Sequence, residues 1–131
     1  MNQLLQNKII EYIQRLWIKH NSKFELDGIW IGLHEPISLE DNNEPDTPVT
    51  RAWFIKNDSM EEKKPIDYKV FMEFGLEAKK TYPIAYSNAA LINDTDLIYI
   101  GYQFGGLYGR GMIFEINNDG ELEMERVLWV S

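Results

Sequence analysis

The stretch "GYQFGGLYGRGMIFEINNDGEL", residues 101–122, decides how the chain is read. Gly105, Gly106, Gly109 and Gly111 crowd the segment between Phe104 and Met112, and Gly-rich loops of one class cradle phosphate. A loop of that class needs Gly-x-x-x-x-Gly-Lys-Ser/Thr and opens a helix whose N-terminal amides hold the anion. Here no Lys-Ser or Lys-Thr pair follows, and MIFEI alternates as a strand does. The dinucleotide pattern G-x-G-x-x-G is absent in that order, and it also needs a following helix. The glycines therefore read as a turn and bulge between two strands, where glycine supplies a positive φ or lets backbones approach. Arg110 is left at the tip, as an anion contact or an interface anchor.

Downstream of the glycines, Met112, Phe114 and Ile116 face Leu122, Met124 and Leu128 across NNDG, residues 117–120, the strongest hairpin signal in the chain. Glu115, Asn117, Asp119 and Gly120 copy the first half of an EF-hand loop. The position that needs a glutamate is Arg126, whose charge repels calcium, and the flanks alternate instead of forming helices.

Upstream, residues 3–20 carry the one clear helical period: Leu5, Ile9, Ile13 and Leu16 form a stripe that Tyr12 and Trp17 widen. Asn21 and Ser22 are expected to end this helix, with His20 in its last turn. Phe24–Leu26 and Ile29–Leu33 then read as a hairpin around Asp27-Gly28. Residues 35–50 hold three prolines and no basic residue, and read as a loop. Arg51–Lys56 is a strand, NDSMEEKKP a charged connection, and the alternation of Tyr68, Val70, Met72 and Phe74 a further strand. Ile84–Ile92 and Leu97–Phe104 are strands on either side of the turn NDTD. The expected fold is α+β: one domain over residues 1–131, an N-terminal helix packed on a twisted, mostly antiparallel sheet of about five to seven strands.

Composition narrows the function. The 131 residues include no Cys, so neither a disulfide framework nor a Cys-ligated zinc is available. No segment reads as a signal peptide or a membrane span, which points to a cytoplasmic location. A net charge of −8 disfavours nucleic acid and anionic membrane surfaces, and attracts a basic protein. His20 and His34 fit no H-E-x-x-H site, His34 and Glu35 point to opposite faces of a strand, and no serine sits in a nucleophile elbow. Nothing calls for catalysis, a cofactor or a metal.

The charges are segregated. Residues 1–24 set Lys8, Arg15, Lys19 and Lys23 against Glu11, whereas residues 25–50 carry seven acids and no base. Glu40, Asp41, Glu44 and Asp46 in the loop, and Glu121, Glu123 and Glu125 on one face of the last hairpin by period two, are the candidate partner-binding residues. Like charges along one face cost stability unless water or a cationic partner solvates them. Trp30, Trp53, Tyr102 and Tyr108 are candidate anchors, although each also suits a core.

A small, acidic, Cys-free α+β chain with an N-terminal helix and a closing GRGMIFEINNDGELEMERVLWVS resembles the bacterial immunity proteins of polymorphic and contact-dependent toxin systems. The resemblance implies a protein that occludes a cognate toxin domain, often a basic nuclease, without catalysis. It transfers no individual binding residue. The second reading is a small-molecule-binding or enzymatic domain whose curved sheet encloses a pocket.

Overall fold

A computed structural model describes residues 1–39, 45–77, 84–105 and 108–131. The elements run α1 (Gln3–Phe24), β1 (Gly28–His34), β2 (Val49–Lys56), β3 (Ser59–Lys63), α2 (Pro65–Glu77), β4 (Ile84–Leu91), β5 (Ile98–Phe104), β6 (Tyr108–Ile116) and β7 (Leu122–Val130). The strands form a single sheet of order β3-β2-β1-β4-β5-β6-β7. Every neighbouring pair is antiparallel except β1 and β4, which run parallel with Ile31 opposite Ser87. The α+β class and the N-terminal helix on a mostly antiparallel sheet are as the sequence predicts.

Helix α1 starts at Asn2, whose side chain accepts from the Leu5 amide at 2.8 Å, a good N-cap. It extends past Asn21 and Ser22 to Phe24 and ends with Glu25 in the left-handed region (φ 53°), where the Glu25 amide bonds back to Asn21. Phe24–Leu26 is thus a helix end and not a strand, and Asp27-Gly28 leads into β1 instead of turning a hairpin. The apolar stripe accounts for the extension: Trp17 and Phe24 lie two turns apart, and Phe24 stacks on Phe104. Ile9, Ile13 and Trp17 are buried against Ile29 and Ile31 of β1, Trp53 and Ile55 of β2, Ala85 and Ala89 of β4 and Ile98 and Ile100 of β5.

Helix α2 replaces the strand expected at Tyr68–Phe74. Pro65 stands at its first position and Asp67 in its first turn, both favourable helix starts. The period of two was misleading, because Val70 and Ile66 are exposed while Tyr68 is buried. Tyr68, Phe71 and Met72 form the inward row at helical spacing. The Tyr68 ring lies flat on Gly32: a Cβ there would come within 2.8 Å of it. The Tyr68 hydroxyl donates to the Ser87 carbonyl at 3.0 Å, and Phe71 stacks on Trp30. The two helices cover opposite faces of the sheet around β1.

The charged connection NDSMEEKKP also proves to be structured. Ser59–Lys63 pairs with β2 as an edge strand, where a run of charge is what keeps an exposed edge from pairing further. Arg51 fixes it, donating to both carboxylate oxygens of Glu62 at 3.1 and 2.7 Å and to Gln6 of α1 at 2.7 Å. Of the glycines, Gly105 has φ 62° just after β5, as a turn requires, Gly109 and Gly111 lie within β6 with a register shift against β7 at Gly111/Met112, and Gly106 lies outside the described residues. NNDG closes the last hairpin, with the Asn117 side chain accepting from the amides of Asp119 and Glu121, so that carboxamide serves the turn. Among the described residues, no helix is long and apolar enough to cross a membrane.

Trp17→Ala is expected to cost about 3–5 kcal/mol in urea unfolding, because a large buried side chain leaves a cavity. Ile18→Ala, one residue on but 71% exposed, is expected to stay within about 0.5 kcal/mol. Equal effects would contradict the packing of α1.

Candidate functional site

Two regions stand out. The first is a cavity of about 590 Å³ on the α2 side of the sheet. His34 and Asn88, from the neighbouring strands β1 and β4, contribute its polar lining, and Tyr68 and Met72 of α2 contribute to its wall. The segment Pro45–Val49 lines the space as well, as do Ile66 and Lys69.

His34 is held by its backbone surroundings. Its Nδ1 lies 2.8 Å from the Thr47 carbonyl, which can only accept, so Nδ1 carries the proton. Burial pushes the ring below the ordinary histidine range, against smaller upward pulls from that hydrogen bond and from Asp46. The neutral ring therefore leaves Nε2 as a bare acceptor, and Nε2 is buried with no hydrogen-bond partner. Leaving such an acceptor unpaired costs about 1–3 kcal/mol. Glu35 points away: it is exposed, and its amide bonds to the Pro48 carbonyl.

The second region is the outer strand β7. Leu122, Met124, Val127 and Val130 pair with Ile116, Phe114, Met112 and Arg110, so they stand on the α1 side. Met124, Val127 and Val130 are 49%, 40% and 64% exposed, and Ile116 beside them is exposed too. Glu115 and Glu123 alternate with this apolar row and therefore point to the opposite face of the sheet. Glu123 sits directly opposite Glu115, a like-charge pair that costs stability in the free protein.

The candidate acids are not brought together. Asp46 is exposed and lines the cavity, near one end of β1. Glu40, Asp41 and Glu44 lie outside the described residues. Glu121 precedes β7 and reaches back to Lys8 of α1 at 3.3 Å, so it does not continue the row. Glu125 falls at a register shift, where Ile113 pairs with Arg126 and Phe114 with Met124. Strict alternation along Glu121, Glu123 and Glu125 is therefore broken by a bulge, and Glu125 contacts Arg126 at 3.8 Å. All three remain on the exposed rim of the last hairpin.

Arg110 is not at a loop tip. It lies within β6 between Tyr102 and Val130, half-buried, with its Nε unpartnered. Burial holds the hydroxyls of nearby Tyr12 and Tyr102 above the ordinary tyrosine value. Of the candidate anchors, Trp53 and Tyr102 are core residues, while Trp30 and Tyr108 are half-buried beneath other rings. Among the described residues, no group of three or more His, Asp or Glu is placed to hold a metal.

Sequence reasoning raised a pocket only as its second reading and assigned no residues to it, because the lining comes from four separate stretches. The available signal was His34 at a strand end beside a proline-rich loop. No family model, curated protein or solved structure matches the chain significantly.

The depressed His34 value gives a pH dependence with a definite sign. The unfolded chain takes up a proton near 6.5, before the folded one does. Stability is therefore fully present above about pH 6.5 and falls as the pH drops through the folded value. In a His20→Gln background, needed because His20 is also held low, His34→Gln is expected to flatten this decline in urea midpoints between pH 6.5 and 5. Glu62, the carboxylate held low by Arg51, acts below its ordinary 4.5 and leaves that window clear. An unchanged slope would contradict the buried neutral imidazole.

Proposed function

We propose that this chain is a non-enzymatic binding protein that neutralises a basic protein partner by occlusion, as the bacterial immunity proteins it resembles do. The observation that carries the reading is the outer flank of β7. Met124, Val127 and Val130 are exposed in a row on the α1 side, Glu121 precedes them beside Lys8, Glu115 and Glu123 stand on the other face of the same edge, and Arg126 is the one cation of the strand. An apolar strip on one face of an acidic edge strand suits a cationic surface that carries its own apolar anchors and wraps the edge.

Side chains, not backbone, make this contact. The β7 ladder has two register shifts, at Gly111/Met112 and at Ile113/Phe114, and bulged, charged edges resist strand addition. A basic partner that reaches round the edge to the other face would relieve the repulsion between Glu115 and Glu123, a gain the free protein lacks. Electrostatic attraction sets the rate of encounter, and burial of the valines and Met124 sets the lifetime. Under this reading the chain acts in the cytoplasm of the cell that makes the toxin. The acids Glu40, Asp41, Glu44 and Asp46 add to the field that steers the partner in.

The test uses the protein encoded by the reading frame beside this one, co-expressed and captured. Co-purification with its basic domain is expected. The triple variant Glu121→Lys, Glu123→Lys, Glu125→Lys should slow association about tenfold or more at low salt and flatten its salt dependence. A neighbour that is not captured, or association kinetics indifferent to the charge reversal, would overturn the reading.

A further inference from the structure

We propose that Arg110, on the α1 side of β6, is the anchor of a binding site for a small organic acid: one carboxylate carried on an apolar body. The site adjoins the docking flank at Val127 and Val130. It needs no protein partner, so it stands or falls apart from that reading.

The cation comes first. The chain has four arginines, and Arg15, Arg51 and Arg126 each pair with a glutamate, namely Glu11, Glu62 and Glu125. Lys8, where α1 faces the start of β7, is likewise paired with Glu121. Arg110 forms no ion pair among the described residues, in a chain with 21 acids. It stands between Tyr102 of β5 and Val130 of β7. Its charge reaches the hydroxyls of Tyr12 and Tyr102, where it pulls against the burial that holds both above the ordinary tyrosine value. Both hydroxyls are therefore neutral and supply no counter-charge. A cation drawn partly out of water without a counter-ion costs stability, and an arriving anion recovers some of it.

Geometry sets how the anion docks. Nε of Arg110 is buried with no hydrogen-bond partner. The two terminal nitrogens make no hydrogen bond among the described residues either, yet they are not sealed from solvent as Nε is. An anion therefore meets the guanidinium end-on, through both terminal nitrogens. Two parallel N–H···O bonds of that kind match the planar fork of a carboxylate.

The surroundings choose the rest of the ligand. Val130 pairs with Arg110, and Val127 with Met112, the next residue of β6 on the same face. Both valines are exposed, and with the half-buried Tyr108 ring they offer apolar surface for the body of the acid to cover. One guanidinium matches one negative charge, and a net charge of −8 repels a second.

Four probes separate these features: benzoate, benzamide (the same ring without the charge), acetate (the charge without the ring) and phenyl phosphate (a dianion). Each is titrated into the intact chain and followed by NMR of the Arg110 Nε–H group, the valine methyls and the backbone amides. Benzoate is expected to shift the Arg110 signal and the methyls of Val127 and Val130 saturably. Benzamide and acetate should bind about tenfold more weakly or worse, and phenyl phosphate no more tightly than benzoate. Arg110→Gln should leave benzoate no better than benzamide. Val130→Glu, at an exposed position, sets a carboxylate directly opposite Arg110 and should abolish benzoate binding while the amide signals of α1 and β5 stay in place. No saturable shift with benzoate would overturn the proposal. So would benzamide, acetate or phenyl phosphate binding outside the stated order, or benzoate binding unchanged in either variant.

Discussion

The parallel pairing of β1 with β4 is the contact on which the rest of the structure depends. Strands that run parallel need a crossover between them, and here β2, β3 and α2 supply it. Such strands are buried on both faces. Ile29, Ile31 and Leu33 turn to α1, while Gly28, Trp30 and Gly32 turn to α2. Each face therefore needs its own cover, and the chain has one helix for each. Gly32 is the close contact on the α2 side, because only a residue without Cβ lets the Tyr68 ring lie on the strand. The same arrangement creates the cavity: α2 spans the strands as far as Tyr68 and Met72, and beyond it His34 and Asn88 are left beneath the Pro45–Val49 segment.

Where one rule governed a segment, its structure was legible from sequence. The α1 stripe could be read because Leu5, Ile9, Ile13 and Leu16 recur at helical spacing on one side, even though Leu4 and Ile18 are exposed. The last hairpin could be read because NNDG has turn chemistry between alternating flanks, and the glycines because no helix follows them. Tyr68–Phe74 satisfied two periods at once, and tertiary packing decided between them. Val70 is exposed, so the alternation carried no burial information there. Ser59–Lys63 was hidden for the opposite reason, since an edge strand buries little and its charges resemble a loop. The candidate acids were legible as composition but not as a surface, because a bulge between Met124 and Arg126 and the reach of Glu121 to Lys8 depend on contacts far apart in sequence. The cavity depends on such contacts entirely.

The two candidate surfaces divide the molecule. The sheet is doubly covered at β1 and β4, and its outer strand carries apolar side chains to solvent in alternation with acids. A partner at β7 would touch a surface whose bulges already prevent strand-to-strand pairing. The cavity instead sits against the best-packed strands, where an unpaired His34 Nε2 is held in place by the Thr47 carbonyl. Both features follow from the same sheet, one from its uncovered edge and the other from incomplete cover on its α2 face.

Native-state hydrogen exchange tests the central claim most directly. If the doubly covered pair anchors the fold, the amides of Ile31 in β1 and Ala89 in β4 exchange only through global unfolding, and the two report the same free energy. Amides of β3 and of the outer side of β7 exchange orders of magnitude faster, through local opening. Exchange at β1 and β4 as rapid as at the edges would contradict the account, because the sheet would then have no protected centre for the two helices to cover.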